Sequence, residues 1–152
     1  MTKIFGVITK NIGLLWNTYG TGCEIIEPTN IYQATLGNDV FVGPFCEIQR
    51  GVKIGDGTRI QSHTFICEKV TIGMNCFIGH GVIFTNDRLR QGVDRSGKTW
   101  EPTVIDAEVN IGSGTVLLPV FICSGVTIGA GSVVTKDIHE PGIYAGNPCK
   151  KL

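Results

Sequence analysis

Three side chains able to do chemistry recur on one phase of this sequence: the carboxylate of Glu68, the carboxamide of Asn86 and the ammonium of Lys136. A carboxamide donates and accepts hydrogen bonds but has no useful pKa, so Asn86 can orient a reactant and cannot abstract its proton. Glu68 is an acceptor for a hydroxyl or an amine. Lys136 is a point charge suited to an anion such as a phosphate. Asp87 sets a second carboxylate beside Asn86. The bases that titrate near neutrality are histidines, and the chain has three: His63, His80 and His139.

What must position these groups is a repeat. From Leu36 to Phe84 every sixth residue is a large apolar one: Leu36, Val42, Ile48, Ile54, Ile60, Ile66, Ile72, Ile78 and Phe84. The fifth position of each unit is small or β-branched, as in Val40, Cys46, Val52, Thr58, Thr64, Val70, Cys76 and Val82. Glycine follows the opening residue in several units, which suits a corner that a side chain would crowd. A fixed period of this kind specifies a solenoid. Each unit is a short strand and a turn, and three units close a coil of 18 residues. Openers and fifth positions point inward and stack on the coils above and below. The predicted fold is all-β, a parallel β-helix.

The period fails once by excess and once by deficit. The next opener after Phe84 is Ile105, which is 15 residues late. The polar stretch between them, with its glycines and proline, is predicted to be an inserted loop over 86–103. From Leu117 to Ile122 the step is five, one residue short. Both departures fall on one corner of the prism. Its third positions read Arg50, Glu68, Asn86, Pro119 and Lys136. With coils about 4.8 Å apart, Lys136 is expected roughly 10 Å above Asn86. This edge is predicted to be the active edge. His63 and His80 fall on a different corner, and His139 lies past the repeat.

Residues 1–24 read as a segment capping the open end of the coils, not as a signal peptide, and 25–139 as the β-helix, imperfect over 25–35. Residues 140–152 read as a short tail along the last coil. The 13 basic and 13 acidic residues cancel, and no basic run occurs, so nucleic acid is not an expected partner. No apolar run is long enough to span a membrane. The six cysteines, Cys23, Cys46, Cys67, Cys76, Cys123 and Cys149, form no Cys-x-x-Cys pair. They are expected to be reduced fillers in a cytoplasmic protein.

FTNDR (Phe84 to Arg88), IGAGSVVTKDI (Ile128 to Ile138) and YAGNP (Tyr144 to Pro148), together with the repeat, resemble the hexapeptide-repeat acyltransferases. The branch resembled is that of N-acetyltransferases acting on nucleotide-linked amino sugars for bacterial surface polysaccharide, including lipopolysaccharide. The resemblance implies that the β-helix is left-handed and that the co-substrate is acetyl-CoA. It also implies a homotrimer with active sites between subunits. By the same match Asn86, with Asp87, lies by the reacting amine and thioester. Glycines of the last coils, Gly112, Gly129 and Gly131, would let backbone amides approach the pantetheine. Lys136 would meet a phosphate, and Asn147 of the tail motif joins the coenzyme set. Trimer packing would bring the corner of His63 and His80 against a neighbour's active edge. Galactoside- and maltose-type acetyltransferases of this fold place a histidine base after the corresponding strand, and TNDRLR has none. That disfavours the alternative, O-acetylation of a sugar or other alcohol, because a hydroxyl needs a base at neutral pH. A γ-class carbonic anhydrase-like protein is a remote alternative requiring three converging histidines, and no metal is expected. A non-catalytic partner subunit would leave the TND motif and the loop without a role.

Overall fold

Burial follows the six-residue pattern. The openers from Leu36 to Phe84 and all eight fifth-position residues are buried. The computed structural model describes residues 2–4, 7–9, 14–90 and 92–152, with side chains from residue 14 onward. Each unit is a strand of two or three residues followed by a corner. The strands stack into three sheets of six, seven and eight, parallel throughout the coils. The seven-stranded sheet holds one strand per coil, so there are seven coils. Ile66 pairs with Ile48, Leu117 with Phe84, and Val134 with Leu117. The core is a single column of aliphatic side chains, with Phe84 at the level of the loop. Each fully buried Ile or Leu contributes about 1.5–3 kcal/mol relative to exposure. The buried hydroxyls of Thr58 and Thr64 donate to the carbonyls of Gly73 and Gly79 at 2.7 and 3.0 Å, which offsets their desolvation.

The corners use glycine for two different reasons. After an opener, the missing side chain makes room for the next coil. A Cβ on Gly79 would stand 2.6 Å from the Ser113 nitrogen and 2.8 Å from the Ile111 carbonyl oxygen. Two residues later the chain turns through positive φ, as at Gly81 with φ 63°. Non-glycine residues also take that conformation, among them His63, Lys69 and Asn75.

Register shows where the coils vary. From the seven-stranded to the six-stranded sheet, the step between stacked inward residues is five for Ile31 to Leu36. It is six for Ile48 to Ile54 and for Ile66 to Ile72. It is 21 for Phe84 to Ile105, five for Leu117 to Ile122 and four for Val134 to Ile138. The other two steps are six wherever they occur from Leu36 to Val134, as in Leu36 to Val42 and Ile78 to Phe84. All variation in coil length is therefore confined to one edge, here called the variable edge. The edge between the eight- and seven-stranded sheets is the histidine edge.

The coils begin earlier than the boundary expected at Ile25. Leu14 pairs with Ile31, Thr18 with Thr35 and Glu24 with Phe41, so residues 14–25 are already a first coil. The five-residue step from Ile31 to Leu36 takes it out of phase with the later coils, which obscures its pattern. Of the expected cap, only an antiparallel strand pair, Thr2–Ile4 with Val7–Thr9, falls within the described residues before Leu14. At the other end Gly142–Ala145 runs parallel to Val126–Ile128, and Lys150–Lys151 folds back against it. Among the described residues no helix is long and apolar enough to cross a membrane.

Candidate functional site

The loop of the variable edge leaves after the strand Ile83–Phe84 and returns at the strand Thr103–Ile105. Between its root and the outer surface of the seven-stranded sheet lies a cleft of about 330 Å³. Phe65 and Ile83 form the sheet wall, Leu89 and Trp100 the loop wall, and Cys67 and Phe84 are its most buried lining residues. Asn86, Asp87 and Gln49 add polar side chains to its lining. The lining is largely apolar with a few polar side chains, a composition suited to binding an organic arm and fixing its reactive end.

Asn86 is half-buried. Its Nδ2 donates to the Glu68 backbone carbonyl at 3.3 Å, and its backbone carbonyl accepts from the Glu101 amide at 2.8 Å. The side-chain oxygen is thereby oriented by the amide's other end. Asp87 is committed locally, accepting from the amides of Leu89 at 2.7 Å and Asp94 at 3.4 Å. It braces the loop root. Glu68 turns its carboxylate to Arg50 at 2.9 Å, so the part of Glu68 that reaches Asn86 is its backbone. Lys69 donates to the Trp100 carbonyl at 2.7 Å and pins the far side of the loop. Asp94 gathers the loop tip, accepting from the backbone and hydroxyls of Ser96 and Thr99. The Thr99 amide, then the Ser96 hydroxyl and amide, hold its carboxyl well below the usual carboxylate range. Burial pushes the Cys67 thiol up to about 12, so it is a wall and not a nucleophile. All six cysteines are free thiols.

Apart from Asn147, the sequence-predicted residues fall into two groups that a single chain does not bring together. Glu68, Asn86, Asp87 and Lys136 lie on the variable edge, with Lys136 exposed near its upper end. His63, His80, Gly112, Gly129 and Gly131 lie on the histidine edge, across the seven-stranded sheet. His63 packs on Phe45 with ring centres 5.0 Å apart, and His80 Nδ1 bonds the Ser62 hydroxyl at 2.9 Å. The Ala130 backbone occupies the space beside Gly112, so the glycine there serves the coil; beside Gly131 the space is open. Asn147 is exposed in the tail. His139 stacks on Phe121 at 5.4 Å, away from the other two. No three metal-binding side chains gather among the described residues.

Sequence reasoning passed over Gln49, Phe65, Ile83, Leu89 and Trp100, and above all Arg88. Phe65 and Ile83 directly precede openers, so the strand alternation that sends the openers inward sends them outward. That alternation was a usable signal for the cleft wall.

Comparison with known proteins agrees with this architecture. Residues 33–68 match the bacterial transferase hexapeptide family (six repeats), and residues 102–136 match the hexapeptide repeat of succinyl-transferase. The bifunctional protein GlmU of Thermodesulfovibrio yellowstonii is 33% identical over 152 residues, covering 91% of this chain and 31% of that protein. The chain spans about a third of the length of the curated relatives it matches. A hexapeptide-repeat-containing acetyltransferase from Vibrio cholerae superposes with a TM-score of 0.64 at 25% identity, covering 88% of this chain and 70% of that one. A mutant of AntD, an N-acyltransferase from Bacillus cereus in complex with dTDP and coenzyme A, superposes with a TM-score of 0.72. Its identity is 21%, covering 92% and 83% of the two chains, so that likeness speaks for the fold.

Proposed function

We propose that this chain, which belongs to the hexapeptide-repeat transferase family, moves an acetyl group from acetyl-CoA to the amine of a UDP- or dTDP-linked amino sugar. The observation that carries the proposal is the cleft at the loop root, an apolar slot lined by the Asn86 carboxamide, with the neighbouring Asp87 carboxylate engaged by loop amides. A thioester is already activated, and a neutral amine is already a nucleophile. The amine nitrogen bonds to the carbonyl carbon, the carbon–sulfur bond breaks, and the amine proton is lost as the thiolate gains one. The protein's share is to hold the two reactants near attack distance and support the oxyanion. Asn86 is the group placed for that work. A hydroxyl acceptor would need a base, and the two carboxylates nearest Asn86 are engaged, Asp87 by loop amides and Glu68 by Arg50.

The histidine edge completes the site in this reading. A homotrimer would set His63, His80 and the open backbone at Gly131 of one copy against the variable edge of the next. AntD, an N-acyltransferase holding dTDP and coenzyme A on the same architecture, supports a fold able to seat both ligands. A cytoplasmic location fits the six free thiols.

The test is a panel of UDP- and dTDP-linked amino sugars, with their hydroxyl counterparts, incubated with acetyl-CoA while free thiol is followed. Thiol release with at least one amine and with none of the alcohols is the expected result. Release only with alcohols would transfer the reading to O-acetylation, and release with neither would end it. Sedimentation at micromolar concentration should show a trimer, and a monomer alone would remove the shared site.

A further inference from the structure

Regular corners of this prism close by one backbone bond. The amide one residue past the third position donates down to the third-position carbonyl of the coil beneath. Gly81 donates to Ser62 at 3.0 Å, Gly114 to His80 at 2.8 Å and Gly131 to Ser113 at 2.8 Å. On the variable edge the coils above the loop are shortened, with steps of five and four residues. Their corner carbonyls meet a side chain. The guanidinium of Arg88 donates through Nη2 to the Pro119 carbonyl and through Nη1 to the Thr135 carbonyl at 3.3 Å, and its Nε donates to Glu101 at 3.1 Å. Pro119 is one coil above the loop and Thr135 two coils above, while Glu101 is the loop's returning limb. The Arg88 side chain is only 17% exposed.

We infer that Arg88 is a positioning residue. Its planar fork takes the place of the corner bond at the Pro119 carbonyl, adds a bond to the Thr135 carbonyl one coil higher, and fastens both limbs of the loop to the prism. Asn86, two residues earlier, is held in the lining of the cleft as a result, because the amide of the clamped residue Glu101 bonds the Asn86 backbone carbonyl at 2.8 Å. The third anchor is the carbonyl just before Lys136, so one guanidinium registers the carboxamide against the cation that stands above it. A lysine cannot reproduce this, since an ammonium lacks the fixed divergent donors needed to hold three acceptors on three segments. The catalytic consequence rests on the acetyl-transfer reading above. The structural clamp does not.

The experiment compares Arg88→Ala and Arg88→Lys with the native protein in two readouts. Amide exchange should accelerate over residues 85–102 and stay unchanged in the coils. In the acetyl-transfer assay, kcat should fall ~10- to 100-fold with KM for acetyl-CoA unchanged, as expected for misplacement of a group held from a distance. Arg88→Lys should show the same changes, smaller, and it keeps the test alive if Arg88→Ala fails to fold. Millimolar guanidinium should restore part of the kcat of Arg88→Ala. Native-like protection of the loop in both variants would overturn the clamp, and a freed loop with native kcat would overturn its positioning role. If the native protein itself transfers no acetyl group, the proposed activity fails, and the exchange data still decide whether Arg88 fastens the loop.

Discussion

The variable edge and the histidine edge bound the same sheet, yet they are built differently. On the histidine edge every step from Val42 to Val134 is six residues, each corner closes by a backbone bond, and glycine gives way to the next coil. On the variable edge the steps run from four to 21, and side chains do much of the closing: Arg88 on carbonyls, Lys69 on the Trp100 carbonyl, Asp87 and Asp94 on loop amides. A stacked solenoid tolerates irregularity where backbone pairing can be replaced by side chains, and a loop held that way can carry a site on a rigid frame.

The largest effect should come from breaking the regular edge. Gly79→Ala would drive a methyl into the Ser113 and Ile111 backbone, and we expect a loss of about 2–4 kcal/mol in urea unfolding. Gly81→Ala meets open space and has only its positive φ to overcome, so about 1 kcal/mol is expected there. Equal losses would mean that coil spacing does not govern this edge.

On the variable edge the expected signatures are functional. Lys136→Ala should raise KM for acetyl-CoA roughly 5-fold, with kcat little changed, because a phosphate contact is made equally in ground and transition states. Unchanged coenzyme affinity would remove Lys136 from the site.

The smallest effect concerns the loop tip. The Asp94 carboxyl is held below its ordinary value of 3.8, chiefly by the Thr99 amide. A depressed pKa stabilises the loop above that ordinary value, and the contribution is lost as pH falls through the lower folded value. Loop amides should therefore exchange faster, relative to the coils, below about pH 4. Asp94→Asn should show the faster exchange already at neutral pH. Loop protection that stays flat across this range would show that Asp94 does not gather the tip.

Counting by sixes was enough to read the inward column, the loop and the short turn from the sequence, because stacking ties each opener to a fixed neighbour. It did not reveal the first coil, because the five-residue step from Ile31 to Leu36 puts Tyr19 and Ile25 out of phase with the run that starts at Leu36. It placed Gly112 as a coenzyme contact, although the backbone of the next coil fills the space beside it. It offered the Glu68 carboxylate as an acceptor and set Asp87 beside Asn86, without the Arg50 and loop-amide partners that these two carboxylates have in the fold. Those partnerships depend on the path of an aperiodic loop, which no period encodes. Arg88 stayed silent for the same reason: its acceptors lie 31 and 47 residues away, on coils whose shortening leaves carbonyls for it.

The most direct test of the variable edge as the reacting edge is the turnover of Asn86→Ala at saturating amine and acetyl-CoA, with thermal unfolding measured alongside. Loss of about 1.4–3 kcal/mol of transition-state stabilisation predicts a rate roughly 10- to 150-fold below native. The unfolding temperature should be nearly unchanged, because the side chain lies outside the core column. Native turnover in a folded Asn86→Ala protein would contradict the account and place the chemistry on another edge.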